Sequence, residues 1–328
     1  MTPPLSILDL AIVGEDETVA EGLAACVDVA RLAEELGYRR VWYAEHHNMA
    51  AIASSATSVL IAHVAAHTDR IRLGAGGVML PNHSPLTIAE QFGTLEALHP
   101  GRIDLGLGRA PGTDQVTLRA LRRGPEAAET FPQDVIELRG YLWGESRIPG
   151  VEANPGRDTR VPLYLLGSSL FGAELAGVLG LPYAFASHFA PAALVEAVAQ
   201  YRASFRPSDQ LAEPYVIAGV NVIAADSADD AAAQFASMRR SRVKRMFSRG
   251  GKPLTDAEAD ALLRSPQAAF VDDMLRHTAV GTPDTVAAAL DEFAAYAGAD
   301  ELMVVHAGPS RAARLRSVEL TAAAVGVP

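Results

Sequence analysis

Cysteine is almost missing from this chain. Cys26 stands alone among 328 residues, so an internal disulfide and a cysteine metal cluster are both excluded. No uninterrupted apolar run reaches membrane-spanning length, and no membrane contact is expected. Positive charge is also short: 28 Lys and Arg face 39 Asp and Glu, a formal net charge of −11. Such a chain repels a phosphate backbone, which makes nucleic acid a poor partner. The opening Met1-Thr2-Pro3-Pro4 lacks the basic and apolar segments of a signal peptide. These absences together lead to the expectation of a soluble, cytoplasmic protein.

What is present is an ordinary globular balance, 49% hydrophobic and 20% charged, unlike that of a disordered chain. The length suits two average domains or one (β/α) barrel. Short apolar runs alternate with longer helical patterns, and strands are predicted at 6–12, 40–44, 71–76, 103–108, 163–166, 183–186, 215–224 and 301–305. Between them, Asp16–Thr18 offers caps for a helix whose apolar face carries Val19, Leu23, Val27, Ala30 and Ala33, with Gly37 at its end. Ser84-Pro85 starts another helix, which stops before Pro100-Gly101. Strand followed by helix, about eight times over, predicts a parallel sheet, and eight units favour closure into an α/β (β/α)8 TIM barrel. No domain linker or low-complexity tract interrupts the chain, so a single domain over 1–328 is expected. Two stretches exceed a bare barrel: 112–160, long enough for an extra helix, and 248–281, which opens Arg249-Gly250-Gly251-Lys252-Pro253. The second is either a plain insertion or a lid closing over the barrel mouth.

Reactive groups in such barrels sit where strands run into βα loops. Strand two ends Glu45-His46-His47-Asn48, a combination able to move protons. The residues alone leave open whether one imidazole is merely packed and the other solvated. Neighbouring strand residues face opposite ways, so the two histidines are poorly placed for one metal ion, and neither HExxH nor HxH is present; no metal ligand is assigned. Strand three ends Gly76-Gly77, where lost side-chain bulk admits a flat ring, or simply makes a turn. In strand four, Ile103, Leu105 and Leu107 alternate with Asp104, Gly106 and Gly108, so that second face promises a hollow. Arg109 follows at the rim, either a receptor for phosphate or carboxylate or a solvated charge. Gly167-Ser168-Ser169 then leads from strand five into a helix, a turn fit to bind phosphate or only to cap the helix. His188 lies at the rim after strand six.

Four segments carry a family resemblance: Ala44-Glu45-His46-His47-Asn48-Met49, Gly76-Gly77-Val78-Met79-Leu80-Pro81-Asn82, Ala89-Glu90-Gln91-Phe92-Gly93-Thr94-Leu95 and Pro100-Gly101-Arg102-Ile103-Asp104-Leu105-Gly106-Leu107-Gly108-Arg109. They resemble the bacterial luciferase-like, flavin-dependent monooxygenases, strongly from Leu5 to Phe189 and more loosely beyond. The resemblance implies a barrel that uses reduced FMN, supplied by a separate flavin reductase, and O2 to oxidise a small organic substrate. It implies that His46 is the catalytic histidine with Glu45 beside it. It places Gly76-Gly77, the counterpart of a cis-linked pair in luciferase, against the flavin ring, and gives the cofactor phosphate to Arg109, Gly167, Ser168 and Ser169. His188 is assigned to the substrate pocket. Gly108 stands where luciferase has a reactive cysteine and Ser168 where it has a glutamate, so light emission gains no support.

The resemblance further implies a homodimer, packed through Ala56, Val59, Leu60, His63 and Val64 of one helix and Phe92, Leu95, Glu96 and Leu98 of the next. A deazaflavin (F420)-dependent oxidoreductase on the same barrel is the alternative within redox chemistry. A metal-dependent barrel hydrolase is the alternative outside it, and a non-catalytic accessory subunit a third.

Overall fold

A computed structural model describes residues 2–14, 16–110, 112–247 and 254–326. The order is β1 (Leu5–Asp9), α1 (Val19–Glu35), β2 (Arg40–Tyr43), α2 (Thr57–Ala65), β3 (Arg72–Met79), α3 (Pro85–Leu98), β4 (Ile103–Gly108), α4 (Gln115–Ala120), α5 (Phe131–Leu142), β5 (Leu163–Gly167) and α6 (Leu170–Leu179). There follow β6 (Tyr183–Phe185), α7 (Leu194–Ser204), β7 (Val216–Ala224), α8 (Ala228–Phe247), α9 (Asp256–Leu263), α10 (Ala268–Met274), β8 (Thr278–Gly281), α11 (Pro283–Ala297), β9 (Glu301–His306) and α12 (Arg311–Val325). Strands β1 to β7 pair in sequence order, and β9 joins β7 to β1, all in parallel. The eight predicted strands thus close into the predicted barrel.

The ends of the elements follow local chemistry. Thr18 caps α1 and exchanges bonds with Glu21 in a capping box, and Gly37 at φ 83° lies just beyond the helix. Ser84 caps α3, with Pro85 in its first turn. Strand β3 runs on past Gly76 to Met79, longer than expected, through a register shift against β4 between Ala75 and Val78. The extra helix expected in 112–160 is α4; α5 packs beside α3 as part of the outer ring.

The described part of 248–281 is an insertion in the barrel, as expected. The opening of the stretch, 248–253, lies outside the described residues. The remainder holds α9, α10 and a ninth strand, β8, which pairs Thr278–Gly281 with Asn221–Ala224 on the edge of β7 opposite β9. Val271 and Leu275 are buried with Met238, Val243 and Ala259 in a satellite core. Phe270 stays exposed.

Alternation along the strands sets the barrel's two faces. Val41, Tyr43, Leu105, Leu107, Leu163 and Leu165 look outward into the main core beneath the helices. Leu8, Trp42, Tyr164, Ile217, Met303 and Val305 fill the inside. At the N-terminal end the interior is polar: Arg40 lies 2.7 Å from Asp104 and 2.9 Å from Glu301. Tyr164, Trp42 and Arg72 complete this network around Asp104 and Arg40. Each buried charge has an opposite partner, which is the condition for burying it at all.

The hollow expected on the glycine face of β4 is filled. A Cβ on Gly106 would meet the Ala75 carbonyl oxygen at 2.2 Å and Leu166 Cδ1 at 2.6 Å, and one on Gly108 would meet Met79 sulfur at 2.8 Å. On β3 the Trp42 indole takes the space above Gly74 and Gly76. Gly74, Gly106 and Gly108 thus admit neighbouring strands and side chains rather than a ligand.

Candidate active site at the C-terminal mouth of the barrel

The inner face of β2, carried past its end, brings His46 to the mouth, while Glu45 turns to the outer side behind Arg40, Trp42 and Ala44. Glu45 is 1% exposed and fully engaged. It accepts hydrogen bonds from His47 Nε2 at 2.7 Å, His83 Nε2 at 2.9 Å, the Met79 amide at 3.0 Å and Asn82 Nδ2 at 3.3 Å. Burial, the largest single influence, would raise its pKa. The bonds and charge of His83, then His47 and the Met79 amide, outweigh burial and hold it below the usual value. Glu45 is therefore an ionised tie between the β2 terminus and the turn after β3. Its own amide donates to the Gly77 carbonyl at 3.3 Å.

That tie sets His46 beside Gly76-Gly77, whose peptide bond is cis. Neither glycine has room for a side chain. A Cβ on Gly77 would lie 2.8 Å from the Gly106 carbonyl oxygen, and one on Gly76 2.8 Å from Leu8 Cδ1. Backbone alone is therefore presented next to His46. The His46 ring is half-buried, and its Nδ1 is buried without a hydrogen-bond partner. Burial lowers its pKa, so the imidazole is neutral at pH 7, with one nitrogen to accept and one to donate a proton.

His188 reaches the same mouth from the turn after β6. Its ring occupies the place a side chain on Gly219 of β7 would need, since a Cβ there would stand 2.4 Å from His188 Nδ1. Asn221 Nδ2 holds the His188 carbonyl at 2.6 Å. Burial first, then the charges of Arg242 and His46, push His188 down to about 3.

On the other side of the mouth, Arg109 is exposed and lies 4.4 Å from the centre of the Phe171 ring. Phe171 sits in the first turn of α6, directly after Ser168 and Ser169. Two features read separately in the sequence, the rim arginine and the Gly-Ser-Ser turn, are thus brought together. Ser169 caps α6 by accepting from the Gly172 amide at 3.4 Å, so the capping alternative holds for its side chain. Ser168 is exposed, and a fixed cation beside a helix N-terminus forms a place for an anion.

Several residues here escaped sequence reading. His83 shows no pattern in its neighbourhood, because its partner Glu45 is 38 positions away. Arg242 and Arg245 were hidden in a basic run on α8 that helical spacing would have divided into two faces. Among the described residues, no group of three or more His, Cys, Asp or Glu is arranged to hold a metal ion. Among them, too, no helix is long and apolar enough to cross a membrane.

Comparison with known proteins agrees with this geometry. The model of the luciferase-like monooxygenase family matches residues 5–301, and the chain belongs to that family. It is 48% identical over 321 residues to a luciferase-like monooxygenase of Escherichia coli, covering 97% of this chain and 96% of that one. It is 43% identical over 187 residues to the N-acetyl-S-alkylcysteine monooxygenase of Bacillus subtilis, 56% of each chain. Among solved structures, apo-MsnO8 superposes with a TM-score of 0.88 at 37% identity, covering 99% of both chains.

Two more distant structures share the fold. One is the FMN-bound oxygenating constituent of 3,6-diketocamphane monooxygenase from Pseudomonas putida (TM-score 0.73, 16% identity, 98% and 97% covered). The other is an F420-dependent secondary alcohol dehydrogenase (TM-score 0.70, 16% identity, 99% of both covered). The chain is a monooxygenase of the luciferase-like family, an oxidoreductase on a TIM barrel.

Proposed function

We propose that this monooxygenase uses reduced FMN, received from a separate flavin reductase, to oxygenate a small organic substrate. The observation that carries the reading is the meeting of Arg109 with the Ser168-Ser169 turn on one side of a mouth whose other side presents His46 and the bare Gly76-Gly77 backbone. The first pair suits the FMN phosphate, and the second suits the edge and face of the isoalloxazine. When bound, the reduced flavin would supply the electrons that activate O2.

The protein's own groups have separable tasks. Arg109, Ser168 and the first amides of α6 hold phosphate. Gly76 and Gly77 let the ring approach backbone. His46, neutral at working pH, exchanges a proton with the reacting oxygen or substrate. Glu45 keeps the turn after β3 and the end of β2 in register, and so acts as a positioning residue. His188 lines the substrate side. From the Bacillus subtilis relative we take the substrate class to be an N-acylated thioether amino acid or a close analogue.

A homodimer belongs to the same reading, on a smaller face than first expected. Leu60, Val64, Phe92 and Leu95 are buried in this chain's own core and cannot meet a partner. Val59 and Leu98, 69% and 63% exposed, with Ala56 and His63, remain for it. Light scattering at micromolar concentration should give twice the chain mass.

Parallel anaerobic titrations with reduced FMN, riboflavin and F420 test the cofactor. FMN should bind more tightly than the other two, and Arg109→Ala should weaken FMN by about 1.5–3 kcal/mol while leaving riboflavin unchanged. Tighter binding of F420 would move the protein to the hydride-transferring oxidoreductases that share its fold.

A further inference from the structure

Helix α8 carries five cations between Arg239 and Arg245, and they divide by face. Arg239, Arg240 and Lys244 are paired with Asp272, Asp260 and Asp256 of the α9–α10 layer, at 2.6, 2.6 and 2.7 Å. Arg242 and Arg245, three positions apart and so on one face, have no acidic partner among the described residues.

These two do not simply project into solvent. Arg242 is half-buried, and its Nε is buried without a hydrogen-bond partner. Helix α8 packs against β7, whose Gly219 abuts the His188 ring, and from there the charge of Arg242 acts on His188 and that of Arg245 on His46. Arg245 lies exposed at the rim, close enough to Arg242 to add to the effect of burial, and Arg242 is pushed down to about 10. The buried Val243 between them anchors α8 in the satellite core and fixes the direction of that face.

Two like charges held together over a mouth, one with a dry and unsatisfied donor, are costly unless an anion joins them. The cofactor phosphate already has a receptor at Arg109 and the α6 N-terminus, on the side of β4 and β5. We propose that Arg242, assisted by Arg245, binds the carboxylate of the organic substrate and so turns its apolar part toward His46 and Gly76-Gly77. This rests on the proposed function for the flavin's position, but the anion receptor itself is a property of α8. Arg242 presents a planar fork that a carboxylate can meet with two parallel bonds, which gives orientation as well as affinity.

The test is calorimetric titration with N-acetyl-S-butylcysteine and with its carboxamide, each with and without FMN. The wild-type protein should bind the carboxylate at least about tenfold more tightly than the amide. Arg242→Gln should bring the two affinities within about twofold, Arg242→Lys should keep part of the preference, and Arg239→Gln should keep all of it. FMN affinity should not change in any of them. If Arg242→Gln does not fold, Arg245→Gln carries the test, with a smaller loss of preference expected. Equal binding of acid and amide by the wild type, or binding of neither, would overturn the proposal. So would a loss of FMN affinity in Arg242→Gln with the carboxylate preference intact, which would give this cation to the cofactor. Failure of the wild type to bind FMN while it still prefers the carboxylate would instead remove the flavin reading and leave the anion receptor standing.

Discussion

At the scale of single residues, the site depends on groups that were legible and on partners that were not. His46 could be singled out because it follows a strand, and alternation from Arg40 through Trp42 and Ala44 places it on the inner face. As a proton carrier it should contribute roughly 10²–10⁴ in rate. His46→Ala should therefore bind FMN nearly as the wild type does and lose turnover on that scale in a steady-state assay. Unchanged turnover would reduce His46 to a packed side chain. The glycines were legible as positions without bulk, but not as positions already filled. A sequence shows where a side chain is missing and is silent about which neighbour has moved in, here Leu166 over Gly106 and Trp42 over Gly74. Gly106→Ala would drive a Cβ into the Ala75 carbonyl. It should cost at least about 1–3 kcal/mol in urea unfolding, because backbone must shift to make room.

Elements were readable wherever a regular period had a clear end. The eight barrel strands and the starts of α1 and α3 belong to this class, since Thr18 and Ser84-Pro85 act within a few residues of themselves. Strand β8 escaped because four residues with a single neighbour leave no period to count, and its stretch carried glycine and charge that read as loop. The faces of α2 and α3 were misjudged for a related reason. Apolar spacing identifies a buried stripe but not whether the chain's own core or a second copy buries it. The layer formed by α9 and α10 makes a sharper case. Leu275 is 3% exposed within the satellite core, whereas Asp272 only pairs with Arg239 at the surface. Leu275→Ala should cost about 2–5 kcal/mol, and Asp272→Ala less than about 1 kcal/mol. Equal, negligible costs in denaturant titrations would show that the layer is not packed as described.

For the molecule as a whole, burial of neutral histidines ties stability to pH. Burial pushes His188, assisted by Arg242, and His306 down to about 3. The unfolded chain takes up protons at these residues near pH 6.5, while the native protein resists until about pH 3. Stability contributed by the two is thus present above the unfolded value and lost as pH falls through that window. Between pH 7 and pH 5 the loss should be about 2 kcal/mol per histidine. His306, hydrogen-bonded to Ser317 on the outer side of β9, can be replaced by Gln to remove about half of the slope. Urea titrations at the two pH values read both figures.

The barrel divides its labour along its axis. Paired charges close the N-terminal end, with Arg40 between Asp104 and Glu301, whereas at the C-terminal end Arg109 beside Phe171, and Arg242 and Arg245 on α8, have no acidic partner among the described residues. On the proposed reading the same side-chain types serve stability at one end and recognition at the other, distinguished by whether the fold supplies the counter-charge. A crystal structure of the protein with bound FMN tests this account most directly. It should show the isoalloxazine against Gly76-Gly77 within reach of His46, and the phosphate between Arg109 and the Ser168-Ser169 turn. A flavin bound elsewhere, or turned so that its phosphate meets Arg242 and Arg245, would contradict it.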